Sequence, residues 1–195
     1  MQLLARELGP GLTGVYLFGS VALGDYRSPC SDLDVAVVAA RRLAPQEKER
    51  LADLLDHRHL PCPARKLELV IYERGGLGRG DVSFELDLNT GPGLHRWRVD
   101  PAASPTHWFV LDVAIGRERA CALAGPPAAT LFPEQAEERI LTAVRESLDW
   151  HIDNVDALTE GGNPRPLLGG AKGGACALGR AWSRSRSWPA RCVSA

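Results

Sequence analysis

Val15-Tyr16-Leu17-Phe18-Gly19-Ser20 and Asp32-Leu33-Asp34-Val35-Ala36-Val37-Val38 are the two stretches on which the rest of the chain is organised. Each holds an apolar run, 15–18 and 35–38, with the length and residue types of a buried strand. Side chains alternate along a strand, so Asp32 and Asp34 share one face while Leu33 points to the other. Gly19-Ser20 closes the first run, and eleven connector residues, Val21 to Ser31, separate it from the acidic pair.

Two neighbouring carboxylates repel, and a divalent cation relieves the repulsion. Carboxylate oxygens suit Mg2+, which is commonly held by one or two of them plus substrate phosphates. A glycine at a strand end lets backbone come close to a ligand. A short helix starting near Ser20 would aim its free N–H groups at a phosphate. A phosphate cradle beside a two-carboxylate metal site can align a nucleotide and neutralise charge building at the α-phosphorus.

G-S followed by D-x-D resembles the signature of the nucleotidyltransferase superfamily of the polymerase-beta type. The longer run L-x-G-S-x-A-L-G-D-Y-x-x-x-x-S-D-L-D is similar to the aminoglycoside adenylyltransferases that modify streptomycin and spectinomycin. Arg117-Glu118, followed by Ala122-Leu123-Ala124-Gly125-Pro126-Pro127-Ala128-Ala129-Thr130-Leu131-Phe132, resembles a second block of that family. The resemblance extends over Leu12 to Leu158. It implies an α/β (α+β) fold, with a small mixed-sheet nucleotidyltransferase domain followed by an incomplete helical domain. The expected boundaries are 1–105 and 106–160, then an irregular tail over 161–195. It further implies ATP as co-substrate, two Mg2+ ions on Asp32 and Asp34, phosphate contacts from Gly19 and Ser20, and a cationic small-molecule acceptor.

Lys66 to Tyr72 alternates as a third strand, with Leu67, Leu69 and Ile71 on one face and Lys66, Glu68, Val70 and Tyr72 on the other. A strand beside the D-x-D strand brings Glu68 towards Asp32 and Asp34. In the resembled family a glutamate in the matching strand takes the proton from the acceptor hydroxyl, and Glu68 is expected in that role. Phe84 to Asn89 alternates again, placing Glu85, Asp87 and Asn89 on one face. Glu85 and Asp87 are therefore rival third carboxylates.

Gln2 to Leu8 and Pro45 to His57 read as helices, and Gly75 to Gly80 as a turn or loop. His95, Trp97, His107 and Trp108 fall in a long connector, where aromatics either pack or stack on a ligand. Trp108 to Leu123 reads as a helix. A further amphipathic helix after Pro133 carries Ile140, Leu141, Val144 and Leu148. The resemblance places Trp150 and Asp153 near the cationic acceptor. It also points Arg180, in Leu178-Gly179-Arg180-Ala181-Trp182, at the nucleotide.

The composition, 45% hydrophobic and 24% charged over 195 residues, is that of a globular chain. The net charge of -1 hides an asymmetry. Residues 161–195 hold six basic groups and no acidic one, so residues 1–160 hold 17 basic and 24 acidic groups, a balance of -7. Such an acidic body attracts cations at long range. Five cysteines without a C-x-x-C pair fit reduced thiols in a cytoplasmic protein. Neither a signal peptide nor a membrane span is expected, nucleic acid is not an expected partner, and a monomer is expected.

Three activities follow as expectations. The first is Mg-dependent AMP transfer to an aminoglycoside hydroxyl. The second keeps the chemistry with a protein or RNA acceptor. The third is a remnant that binds nucleotide without turnover, since helical periodicity disappears after Glu160. A reading-frame change near that point is expected to account for residues 161–195.

Overall fold

The computed structural model describes residues 1–154. Helix α1 (Gln2–Leu8) leads into β1 (Leu12–Leu17), α2 (Gly19–Leu23), β2 (Leu33–Ala39) and α3 (Pro45–Leu54). Then come β3 (Leu67–Glu73), α4 (Arg74–Gly78), β4 (Phe84–Gly91) and β5 (Leu94–Arg98). Helix α5 (Thr106–Arg119), β6 (Cys121–Ala124), α6 (Ala128–Leu131) and α7 (Glu137–Asp153) complete the described residues.

The six strands form one mixed sheet in the order β5-β4-β3-β2-β1-β6. β2 and β3 pair in parallel, and every other neighbouring pair is antiparallel. Strand alternation sorts the apolar side chains onto two faces. Val15, Val37, Leu69, Ile71, Leu86 and Leu88 pack with Leu4, Leu8, Leu51 and Leu55 of the α1–α3 side. Tyr16, Phe18, Ala36, Val38, Tyr72 and Phe84 pack with Phe109, Val113, Phe132 and Val144 of the α5–α7 side. The mixed α/β architecture expected for this chain is thus observed.

Four local expectations are corrected. Residues 74–78 are helical rather than a loop, because Glu73 accepts hydrogen bonds from the N–H groups of Gly75 and Gly76 at 2.7 and 2.6 Å and so caps α4. His95 and Trp97 lie on an edge strand rather than in a connector, since β5 pairs with β4 from Asp87↔Arg98 to Gly91↔Leu94. The helix beginning at Thr106 stops at Arg119 instead of running to Leu123. Cys121–Ala124 pairs with the otherwise open edge of β1. Finally, the register of β4 shifts between Ile71↔Leu86 and Tyr72↔Phe84. The extra residue there, Glu85, is turned towards α3, and Phe84 faces α5.

Candidate active site

The site forms beneath α5, where β1 ends and the parallel strands β2 and β3 begin. Phe18 N–H donates to the Asp34 carbonyl at 2.9 Å, which ties the end of β1 to β2. Gly19 then turns the chain into α2 with φ of 57°, in the left-handed region that favours glycine. A Cβ on Gly19 would collide with the Asp34 carboxyl, so the backbone at Gly19-Ser20 lies directly against that acid. The first-turn N–H groups of a helix lack intrahelical acceptors, and here they belong to the segment beside Asp34.

Asp34 is directly paired with Glu68 across the parallel β2–β3 ladder. Asp32 immediately precedes β2 and lies on the same face. Burial, then the nearby Glu68 and Asp32 carboxylates, push the Asp34 carboxyl up to about 7. Asp32 is held differently. Arg65 donates to both of its oxygens, Nε to Oδ1 at 2.6 Å and Nη2 to Oδ2 at 2.7 Å. Lys66 Nζ lies 3.6 Å from Asp32 Oδ2, is ion-paired with Glu68, and reaches Asn89 Oδ1 at 3.5 Å. Two cations thus partly neutralise the outer carboxylates, while Asp34 sits deepest with no cation bonded to it among the described residues.

The donor set suits a hard divalent cation, because the charge excess at Asp34 is what such an ion relieves. Among the described residues no three His, Cys, Asp or Glu groups converge closely enough to enclose a metal. An ion here would therefore need further oxygen ligands, as substrate phosphates provide.

Of the residues expected from sequence, Gly19, Ser20, Asp32, Asp34 and Glu68 are brought to this one face. The rival Glu85 is not. It accepts from Leu43 N–H at 3.1 Å and pairs with Lys48 at 2.8 Å on the opposite side of the sheet. Asp87 does stand on the site face, opposite Val70, and its carboxyl is raised chiefly by burial. Trp150 packs edge-on against Trp108 and beside His151, both at 5.4 and 5.3 Å between ring centres, in the seam of α5 and α7. Asp153 is exposed on the last turn of α7. Arg180 and the 161–195 tail lie outside the described residues.

Arg65 and Asp112 were not among the residues expected at the site, and Lys66 was expected only to share the Glu68 face of its strand. Lys66 had a usable signal, its i, i+2 spacing from Glu68 on a strand. Asp112 had another, as the single charged residue within the apolar run Trp108 to Ile115.

Residues 4–81, which contain all five converging residues, match the family described as nucleotidyltransferase domain. These residues are thus similar to that domain. Its fold is shared with the crystal structure of spectinomycin adenyltransferase AAD(9) from Enterococcus faecialis with ATP and spectinomycin, at a TM-score of 0.60 and 21% identity. That alignment covers 78% of this chain and 64% of AAD(9), so the chain spans under two-thirds of that relative's length. A toxin–antitoxin structure with AMP-PNP also aligns, at 16% identity over 83% of this chain and 95% of that one, with a TM-score of only 0.34. No curated protein matches. Among the described residues no helix is long and apolar enough to cross a membrane.

Proposed function

We propose that this chain transfers AMP from ATP to a hydroxyl group of a cationic aminoglycoside such as streptomycin or spectinomycin. The single observation that carries this is the juxtaposition of Glu68 with Asp34, next to the Gly19-Ser20 turn. A base, an acidic pair and a backbone phosphate cradle on one face are the groups that nucleotidyl transfer requires.

In the proposed reaction, Glu68 takes the proton of the acceptor hydroxyl as its oxygen bonds to the α-phosphorus. The bond from that phosphorus to the bridging oxygen breaks, and pyrophosphate leaves. Asp32 and Asp34 would hold Mg2+, which when bound neutralises and orients the triphosphate. Ser20 and the first N–H groups of α2 hold phosphate oxygens. Arg65 and Lys66, already on Asp32 and Glu68, are within the same cluster as the incoming phosphates and can exchange a carboxylate partner for a phosphate one. The acidic balance of residues 1–160 favours a cationic acceptor. In this view the α5–α7 layer begins a helical domain that closes the acceptor side.

Incubation of the full chain with ATP, Mg2+ and either drug tests the proposal. AMP-drug adduct with equimolar pyrophosphate is expected. Adduct on protein or RNA instead, or nucleotide binding without any product, would overturn it.

A further inference from the structure

Helix α5 crosses the site face at two fixed points. Near its start, Phe109 packs on Phe84 of β4 with ring centres 4.8 Å apart. Near its end, Gly116 lies so close to the Phe18 ring that a Cβ there would collide with it. Asp112 falls between these anchors, one turn before Gly116 and on the same flank of the helix. It therefore hangs above the middle of the sheet, over the strands that carry Asp34 and Glu68.

Asp112 is exposed, although its helix neighbours Leu111 and Val113 are buried. The charged groups acting on it are Asp34, Glu68 and Asp87, all carboxylates. Among the described residues it forms no ion pair.

A second, independent observation lies beneath it. Tyr72 is only 1% exposed, and its hydroxyl has no hydrogen-bond partner among the described residues. Register puts Tyr72 on the site face of β3, two residues beyond Val70, which is paired with Asp87. Asp112 and Asp87 are the two charges that act on the Tyr72 hydroxyl. A buried hydroxyl without a partner is costly, and a carboxylate ringed by carboxylates is unfavourable. One incoming group satisfies both.

We propose that Asp112, with Asp87 and the Tyr72 hydroxyl, binds an ammonium group of the acceptor and thereby sets the neighbouring acceptor hydroxyl against Glu68. The inference rests on the acceptor chemistry proposed above and names the residues that select it. An ammonium donates up to three hydrogen bonds, and carboxylates and a phenol oxygen accept them. A phenol hydroxyl is a poor ligand for Mg2+, which sets this position apart from the Asp32–Asp34 pair. The acceptor would then be a hydroxyl compound carrying a positively charged amine close to the reacting oxygen.

The test uses the full chain, with spectinomycin and streptomycin as probes, and reads drug affinity, ATP affinity and steady-state constants. Asp112→Asn should weaken drug binding and raise the drug KM about ten- to hundredfold, the range for a charged hydrogen bond. ATP affinity should stay within about twofold, and Asp112→Glu should recover part of the loss. Tyr72→Phe should weaken the drug while leaving the melting temperature unchanged or higher, because it removes an unsatisfied buried group. If the wild type adenylylates a drug and Asp112→Asn binds it unchanged, this inference alone falls. It also falls if Asp112→Asn loses ATP and drug equally, which marks a structural role. If the wild type neither binds nor modifies either drug, the proposed function falls and takes this inference with it.

Discussion

Asp34 and Glu68 face each other on adjacent parallel strands, in direct register. Their side chains leave the sheet on the same side, close enough that Glu68 adds to the cost of ionising Asp34, which burial already raises. The pairing gives each carboxylate a different environment. Glu68 has Lys66 as a salt partner, whereas Asp34 is buried against the Gly19 backbone.

Asp34 makes metal-free stability depend on pH. A carboxyl whose folded pKa, here about 7, lies above its unfolded value of 3.8 binds more protons when folded. The stability of the metal-free chain should fall as pH rises from 5 to 7 and level off above. Asp34→Asn should remove part of that slope and raise the melting point at pH 8 by about 2–4 °C per kcal/mol relieved. Mg2+ should stabilise the wild type more at pH 8 than at pH 5, and Asp34→Asn hardly at all. Calorimetry with chelator or with Mg2+ measures both. The low-pKa acid Glu47, held down to about 2 chiefly by Arg41, acts in the opposite sense, but only below this window.

Glu68→Gln should lower turnover by about 10²–10⁴ with ATP affinity nearly intact, as expected for loss of a general base. Glu85→Gln should do the reverse. It weakens a mostly buried pair with Lys48 and a bond to Leu43 N–H, which costs about 1–3 kcal/mol of stability without touching the reaction. Denaturant titration and initial rates on both variants separate the two roles. Equal losses of rate would show that the β4 bulge does not divide them.

Gly19→Ala should abolish turnover and destabilise the fold. The new methyl would meet the Asp34 carboxyl, and φ of 57° is strained for any residue with a Cβ. The strain alone is worth about 1–2 kcal/mol. A melting curve and ATP-binding isotherm on this variant suffice, and unchanged ATP affinity would contradict the proposed cradle.

Gly116→Ala should push α5 off Phe18 at a cost of about 1–3 kcal/mol, the range for overpacking. If α5 carries the acceptor wall, drug affinity should drop more than ATP affinity. Urea unfolding and two binding isotherms are the measurements.

Legibility in the sequence followed the range of the interactions. The strands, α1, α3 and the face shared by Asp32 and Asp34 come from alternation and helical spacing, which are local properties of the chain. Glu68 was expected from the resemblance, which places a glutamate on the matching strand, and its alternation on β3 set the face it shares with Lys66, Val70 and Tyr72. The choice between Glu85 and Asp87 could not be made that way. One bulged residue in β4 reverses the faces, and the bulge is fixed by how Phe84 packs on Phe109 and how Glu85 reaches Lys48. β6 was read as helix because its four residues have no pattern of their own, and only the open edge of β1 makes them a strand. Asp112 was visible as a charge in an apolar helix, but its distance from the catalytic strands depends on where Phe109 and Gly116 dock. Residue identity by itself thus determined the acidic pair, the glycine turn and the strand carrying Glu68. Tertiary packing alone decided which further acids share their face, because that depends on contacts between segments far apart in the chain.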